Sequence, residues 1–255
     1  MFADPLGLLE QTKDYYAPDY GEQALERARY LFELYIAYIS TTDPVTIVEN
    51  GDNVTIIAYA FISGGESHFS DEDDTTYREY AIQGIIETWS GDFDGKKVNV
   101  VIIDLNDSKQ HVTKDGQKSV SITIHETTGV SQVNYWYDLS RPGIMDLYIG
   151  DNYYDPNDPD PYNRSGAAFN YSLEQFKRTA GHEFGHILGI ADGKDYGYAQ
   201  LTSKGDIISL MSSQWDTKAT RLDLELALKA HRQNAWQKWE TNTDLINKYG
   251  IKRQK

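Results

Sequence analysis

The chain has 255 residues, and 39 acidic against 24 basic side chains give a formal net charge of −15. That length suits one large domain or two small ones, and 40% hydrophobic residues are ample for a buried core. The lack of any apolar run of about 18 residues argues against a transmembrane helix, zero cysteines exclude disulfides and thiolate metal sites, and the acidic balance argues against a nucleic-acid phosphate surface.

The first residues, Met1-Phe2-Ala3-Asp4-Pro5, lack a basic start followed by an apolar run, so no secretory signal is expected there. Over residues 22–39, apolar groups at Ala24, Leu25, Ala28, Leu31, Phe32, Tyr35 and Tyr38 have helical spacing. Residues 45–48 and 54–61 are β-rich and flank an Asn50-Gly51 pair, which reads as a hairpin. The acidic run 71–74 is read as solvent-exposed, favoured near a helix N-terminus by the dipole. A second helix is expected over 76–89, stopping near Gly91. Strands follow at 97–105, 120–124 and 145–149. Residues 151–170 hold three prolines and four aspartates and read as an irregular surface loop. A calcium ion held by carboxylates of residues 151–160 is the alternative to a solvated acidic loop.

One segment carries chemistry. In Gly181-His182-Glu183-Phe184-Gly185-His186-Ile187-Leu188-Gly189-Ile190-Ala191-Asp192, the two histidines are four apart. On a helix they share one face, one turn apart, and can hold a single ion. Ser172 with Gln175 fits a capping box, Leu173, Phe176, Ala180, Phe184, Ile187 and Leu188 supply an apolar stripe, and the helix is expected near 173–188. Gly189 fits the left-handed residue that ends a helix, letting Asp192 return beneath the histidines. Three ligands, His182, His186 and Asp192, then leave a fourth position open, as a catalytic zinc needs. Glu183, beside the first ligand, can act as general base towards an attacking water. Random placement gives this whole pattern roughly once in ten thousand chains of this length and composition.

The spacing H-E-x-x-H-x-x-G-x-x-D resembles the metzincin superfamily of zinc endopeptidases, in the minority where Asp replaces the third His. The resemblance implies an α+β fold: a twisted mixed sheet, two N-terminal-side helices, the active-site helix, a methionine turn and a C-terminal helix. It also implies that Met211, in Ser209-Leu210-Met211-Ser212, forms the turn beneath the metal, and that residues 220–239, with Leu222, Leu224, Leu226, Leu228 and Trp236 apolar, form the closing helix. Some metzincins place a Tyr two residues after the Met; here that position is Ser213, so the oxyanion-stabilising side chain is not identified.

Phe2-Ala3-Asp4-Pro5-Leu6-Gly7-Leu8 resembles the Asp-Pro-x-Gly-Leu element that closes the Rhs (YD-repeat) shell of bacterial polymorphic toxins. That resemblance implies a cleavage-junction remnant at 1–8 and a released metallopeptidase domain over 9–255. It would be secreted or delivered into a target cell within a larger bacterial carrier, with an immunity protein or the shell itself as partner.

A protein substrate is expected to lie extended along an edge strand, with residues 145–149 the candidate. Met145, Leu147, Tyr148 and Trp215 are the candidate substrate contacts, and Tyr153 and Tyr154 could also line the pocket. His68, His111, His125 and His231 lack a partner at ligand spacing and are read as surface or packing residues. Three other readings stay open: a thermolysin-like peptidase with Glu225 as third ligand, a non-catalytic module stabilised by a metal, and a toxin that is not proteolytic.

Overall fold

The computed structural model describes residues 43–69, 74–106, 118–134, 143–152, 168–192, 209–212 and 218–249. The segment 2–8, the expected helix over 22–39, residues 71–73 and 153–160, His111, Ser213 and Trp215 lie outside the described residues.

The fold is mixed α+β. Eight strands, β1 (Val45–Asn50), β2 (Asn53–Gly64), β3 (Gly91–Phe93), β4 (Lys96–Asp104), β5 (Val120–Thr128), β6 (Gln132–Asn134), β7 (Ile144–Asn152) and β8 (Ala168–Asn170), form one sheet. The order is β3-β4-β2-β5-β7-β6, with β1 also on β2 and β8 also on β7. The inner pairs β2–β4, β2–β5 and β5–β7 are parallel, and β1, β3, β6 and β8 pair antiparallel. Four helices stand among the described residues: α1 (Tyr77–Trp89), α2 (Leu173–Ile187), α3 (Arg221–Gln233) and α4 (Thr243–Lys248).

Local chemistry sets the joints. The β1–β2 hairpin turns on Gly51-Asp52 between the paired residues Asn50 and Asn53, with Gly51 at φ 62°. Parallel pairing of β2 with β4 needs a crossover, which α1 supplies. Thr76 caps α1 in a capping box with Glu79, and the helix ends at an extended Ser90.

On one face of the sheet, Val54, Ile56, Ala60, Ile62, Val100, Ile122, Ile124, Met145 and Leu147 join Ile85 and Trp89 of α1 and Phe176, Ala180 and Phe184 of α2 in a single core. The two helices approach closely because small residues line their contact. A Cβ on Gly84 would fall onto the Lys177 backbone, and one on Gly181 onto the Thr88 side chain. Trp89 Nε1 donates to Gly181 O at 2.8 Å, and Lys177 Nζ pairs with Glu87 at 2.6 Å. These bonds fix α2, and with it both histidines, against α1.

Three expectations need correction. Strand β7 is not an edge strand: β5 pairs with it on one side, β6 and β8 on the other. The long closing helix stops at Gln233 rather than 239, because Asn234 takes a left-handed conformation (φ 46°) and turns the chain. The loop expected over 151–170 begins and ends as paired strand, Asp151 against Phe169 and Asn152 against Ala168. No described helix is long and apolar enough to cross a membrane.

Candidate metal centre

Helix α2 begins as its sequence dictates: Ser172 Oγ accepts from Gln175 N at 3.3 Å while Ser172 N donates to Gln175 Oε1 at 2.8 Å. It ends in a Schellman turn, with Gly189 N–H donating to His186 O at 2.9 Å and Ile190 N–H to Gly185 O at 3.1 Å. Gly189 sits at φ 89°, where a side chain would be strained. The turn reverses the chain and brings residue 192 back to the histidines.

His182, His186 and Asp192 converge there, each offering one donor atom, all within 4.8 Å of one another; the group could hold a metal ion. Asp192 Oδ1 lies 3.1 Å from His182 Nε2 and 3.7 Å from His186 Nε2. The edge of a tetrahedron with zinc–ligand bonds of about 2.0–2.1 Å is about 3.3 Å, which these two separations bracket. The two imidazole rings stand edge to face, centroids 5.1 Å apart. His186 Nδ1 lies 2.8 Å from Ile190 O. A carbonyl only accepts, so Nδ1 carries the hydrogen, and in the neutral ring the Nε2 lone pair is turned to the shared point. Two imidazole nitrogens and a carboxylate, nearly removed from solvent (15%, 3% and 11% side-chain exposure), fit zinc in both chemistry and spacing. Glu183, next to His182, is buried.

Met211 sits in a short 3₁₀ turn, Leu210–Ser212, and is fully buried. Its sulfur fills the place a Cβ on Gly185 would take. The turn is tied down by Asp223, which sequence reasoning missed. Ser209 Oγ donates to Asp223 Oδ1 at 2.6 Å, Leu210 N to Oδ2 at 2.8 Å, and Thr220 donates to Oδ2 through both N (2.8 Å) and Oγ1 (2.9 Å). Burial pushes the Asp223 carboxyl above the usual range, against these hydrogen bonds. Thr220 and Asp223 form the capping box that opens α3, and that Thr-x-x-Asp spacing is a local sequence signal; the bonds from Ser209 and Leu210 are long-range and carry no such signal.

The remaining candidates fall elsewhere. Met145 and Leu147 are fully buried in the core beneath α2 and cannot meet a substrate. Tyr148 projects to the sheet face away from α2, by strand alternation, where its ring stacks on His125 at 4.4 Å; His125 Nε2 pairs with Asp146 Oδ1 at 2.9 Å. Glu225 is bound to Arg221 Nε at 3.1 Å and to Lys248 Nζ at 2.8 Å. Partial burial opposes it, yet those bonds hold its carboxyl below the usual range. It is not among the residues that converge with the histidines. His68 and His231 are exposed.

No protein-family model, curated protein or solved structure matches this chain.

Proposed function

We propose that the protein is a zinc-dependent endopeptidase with a metzincin-like site. The observation that carries this reading is the spacing of three donors around one point, Asp192 Oδ1 at 3.1 and 3.7 Å from the two Nε2 atoms, with a buried Glu183 adjoining them. His182, His186 and Asp192 hold the ion, and the Ile190 carbonyl keeps His186 in the tautomer that can ligate. When bound, zinc supplies Lewis acidity towards a peptide carbonyl and towards water. Glu183 takes the proton of the attacking water and hands it to the leaving amine. Met211 floors the site at Gly185 without touching the reaction. A structural metal has no use for an adjacent carboxylate base, which favours catalysis over a metal-stabilised module.

Because β7 is interior, the substrate strand is reassigned to β6 (Gln132–Asn134), the outermost strand at that end of the sheet among the described residues. It packs beside α2. An extended peptide could add to the outer side of β6, which has no strand partner among the described residues. Delivery as the toxin of an Rhs-type carrier belongs to the same proposal and rests on residues 2–8 alone.

The test is incubation of zinc-loaded protein with a cell lysate, followed by mapping of new N-termini, with Glu183→Gln as control. Glu183-dependent cleavage supports the reading; identical N-termini with both proteins overturn it.

A further inference from the structure

Helix α2 and its terminal turn hold the chain as far as Ile190, through Gly185 O and His186 Nδ1. Asp192 lies five residues past the helix end at Ile187, and further contacts fix the backbone that leads into it. The contacts come from a segment more than forty residues later. Gln237 N–H donates to Gly189 O at 2.7 Å, and Ala191 N–H donates to Gln237 O at 3.0 Å, forming a parallel bridge between Ile190 and Gln237. Trp239 Nε1–H donates to Ala191 O at 2.7 Å, on the carbonyl of the peptide bond that leads into Asp192. Trp236, just before Gln237 in sequence, lays its ring nearly parallel to that of His186, 16° apart with centroids at 6.1 Å.

This segment is itself built to a fixed shape. Asn234 breaks α3 in the left-handed conformation, and Ala235 N–H returns to Ala230 O at 3.1 Å. The Gln237 amide nitrogen then donates to Ala235 O at 2.8 Å and Gln233 Oε1 at 3.1 Å, bracing the turn. Trp239 is fully buried, and its indole has its donor aimed at Ala191.

We infer that residues 235–239 form a clamp that positions the metal ligands, with Trp239 setting Asp192 through the Ala191 carbonyl and Trp236 restraining the His186 ring. This rests on the zinc reading and extends it. Trp239 acts through the Ala191 carbonyl and Trp236 through the His186 ring, so both are positioning residues. Metal sites lose affinity when ligands are held loosely, and loss of an outer hydrogen-bond partner costs about 10–100-fold in metal binding.

Zinc affinity, measured on the full chain by competition with a chromophoric chelator, tests the clamp. Wild type is measured first: failure to bind zinc there overturns the metal reading itself. Given binding, Trp239→Phe, which keeps the ring and removes the donor, is expected to raise the zinc Kd about tenfold or more. Ile56→Val, a core truncation in β2, serves as control for general loss of stability and is expected to leave the Kd unchanged. Trp236→Leu, at a half-buried position, is expected to raise the Kd several-fold, and decides the matter should the Trp239 variant not fold. A Kd unchanged in both tryptophan variants, or raised equally by Ile56→Val, would overturn the clamp while leaving the zinc reading intact.

Discussion

Gly185 and Met211 occupy one another's space: the methionine sulfur lies where a Cβ at position 185 would be, and Trp89 Cζ2 is 3.0 Å from the same point. Helix α2 is therefore shaped to the Leu210–Ser212 turn at the residue just before its second histidine. Gly185→Ala is expected to destabilise by about 1–3 kcal/mol through overpacking. Gly84→Ala is expected to cost more, because its Cβ would strike the Lys177 backbone, which cannot step aside as a methionine side chain can. Urea denaturation of the two variants checks the order.

Asp223 is the fastening of that turn. Its replacement by Ala leaves the N–H groups of Leu210 and Thr220 and the Ser209 hydroxyl without their acceptor. A loss of about 3 kcal/mol or more is expected. Asp223→Asn keeps one acceptor and is expected to cost less.

The same residue gives a pH signature. Burial raises its folded-state pKa above that of the unfolded chain, so the native state keeps a proton that the unfolded state has released. That contribution to stability is complete below the unfolded value of about 3.9 and is lost as pH rises through the folded value. The stability of the chelator-treated wild type relative to Asp223→Asn is therefore expected to decline as pH is raised above about 4. A difference constant from pH 4 to 8 would show that the carboxyl does not titrate differently on folding.

Ligand assignment separates the two zinc-peptidase readings. Asp192→Ala is expected to weaken zinc binding by more than about 100-fold, a larger loss than that of an outer partner. Glu225→Ala, whose carboxylate is engaged by Arg221 and Lys248, is expected to leave it unchanged. The reverse pattern would restore the thermolysin-like alternative.

Zinc bound only by the folded chain stabilises it by mass action, about 2.7 kcal/mol at a free concentration one hundred times Kd. Calorimetry with and without chelator is expected to show that rise in wild type and its loss in His186→Ala.

Local signals make parts of this molecule legible in its sequence. The capping box at Ser172 and Gln175, the glycine at 189 and the Asn-Gly hairpin each depend on a few neighbouring residues, and each appears where its residues put it. An edge position for residues 145–149 does not hold because β7 is flanked by partners on both sides, and nothing in residues 144–152 says which side is covered. A helix running to 239 does not hold because Trp236 and Trp239, which continue a helical apolar pattern, pack instead against His186 and Ala191. The cap that Asp223 makes with Thr220 is a local signal, but its bonds to Ser209 and Leu210, like those of Gln237 and Trp239 to residues 189–191, are set by tertiary packing that no local pattern encodes.

We propose that His182, His186 and Asp192 hold one zinc ion. X-ray absorption at the zinc edge, on protein loaded with one equivalent, tests it most directly. The expected result is a four-coordinate shell with two imidazoles and oxygen donors at about 2.0–2.1 Å, reduced to one imidazole in His186→Ala. A six-coordinate hydrated ion, or a shell unchanged by that substitution, would contradict it.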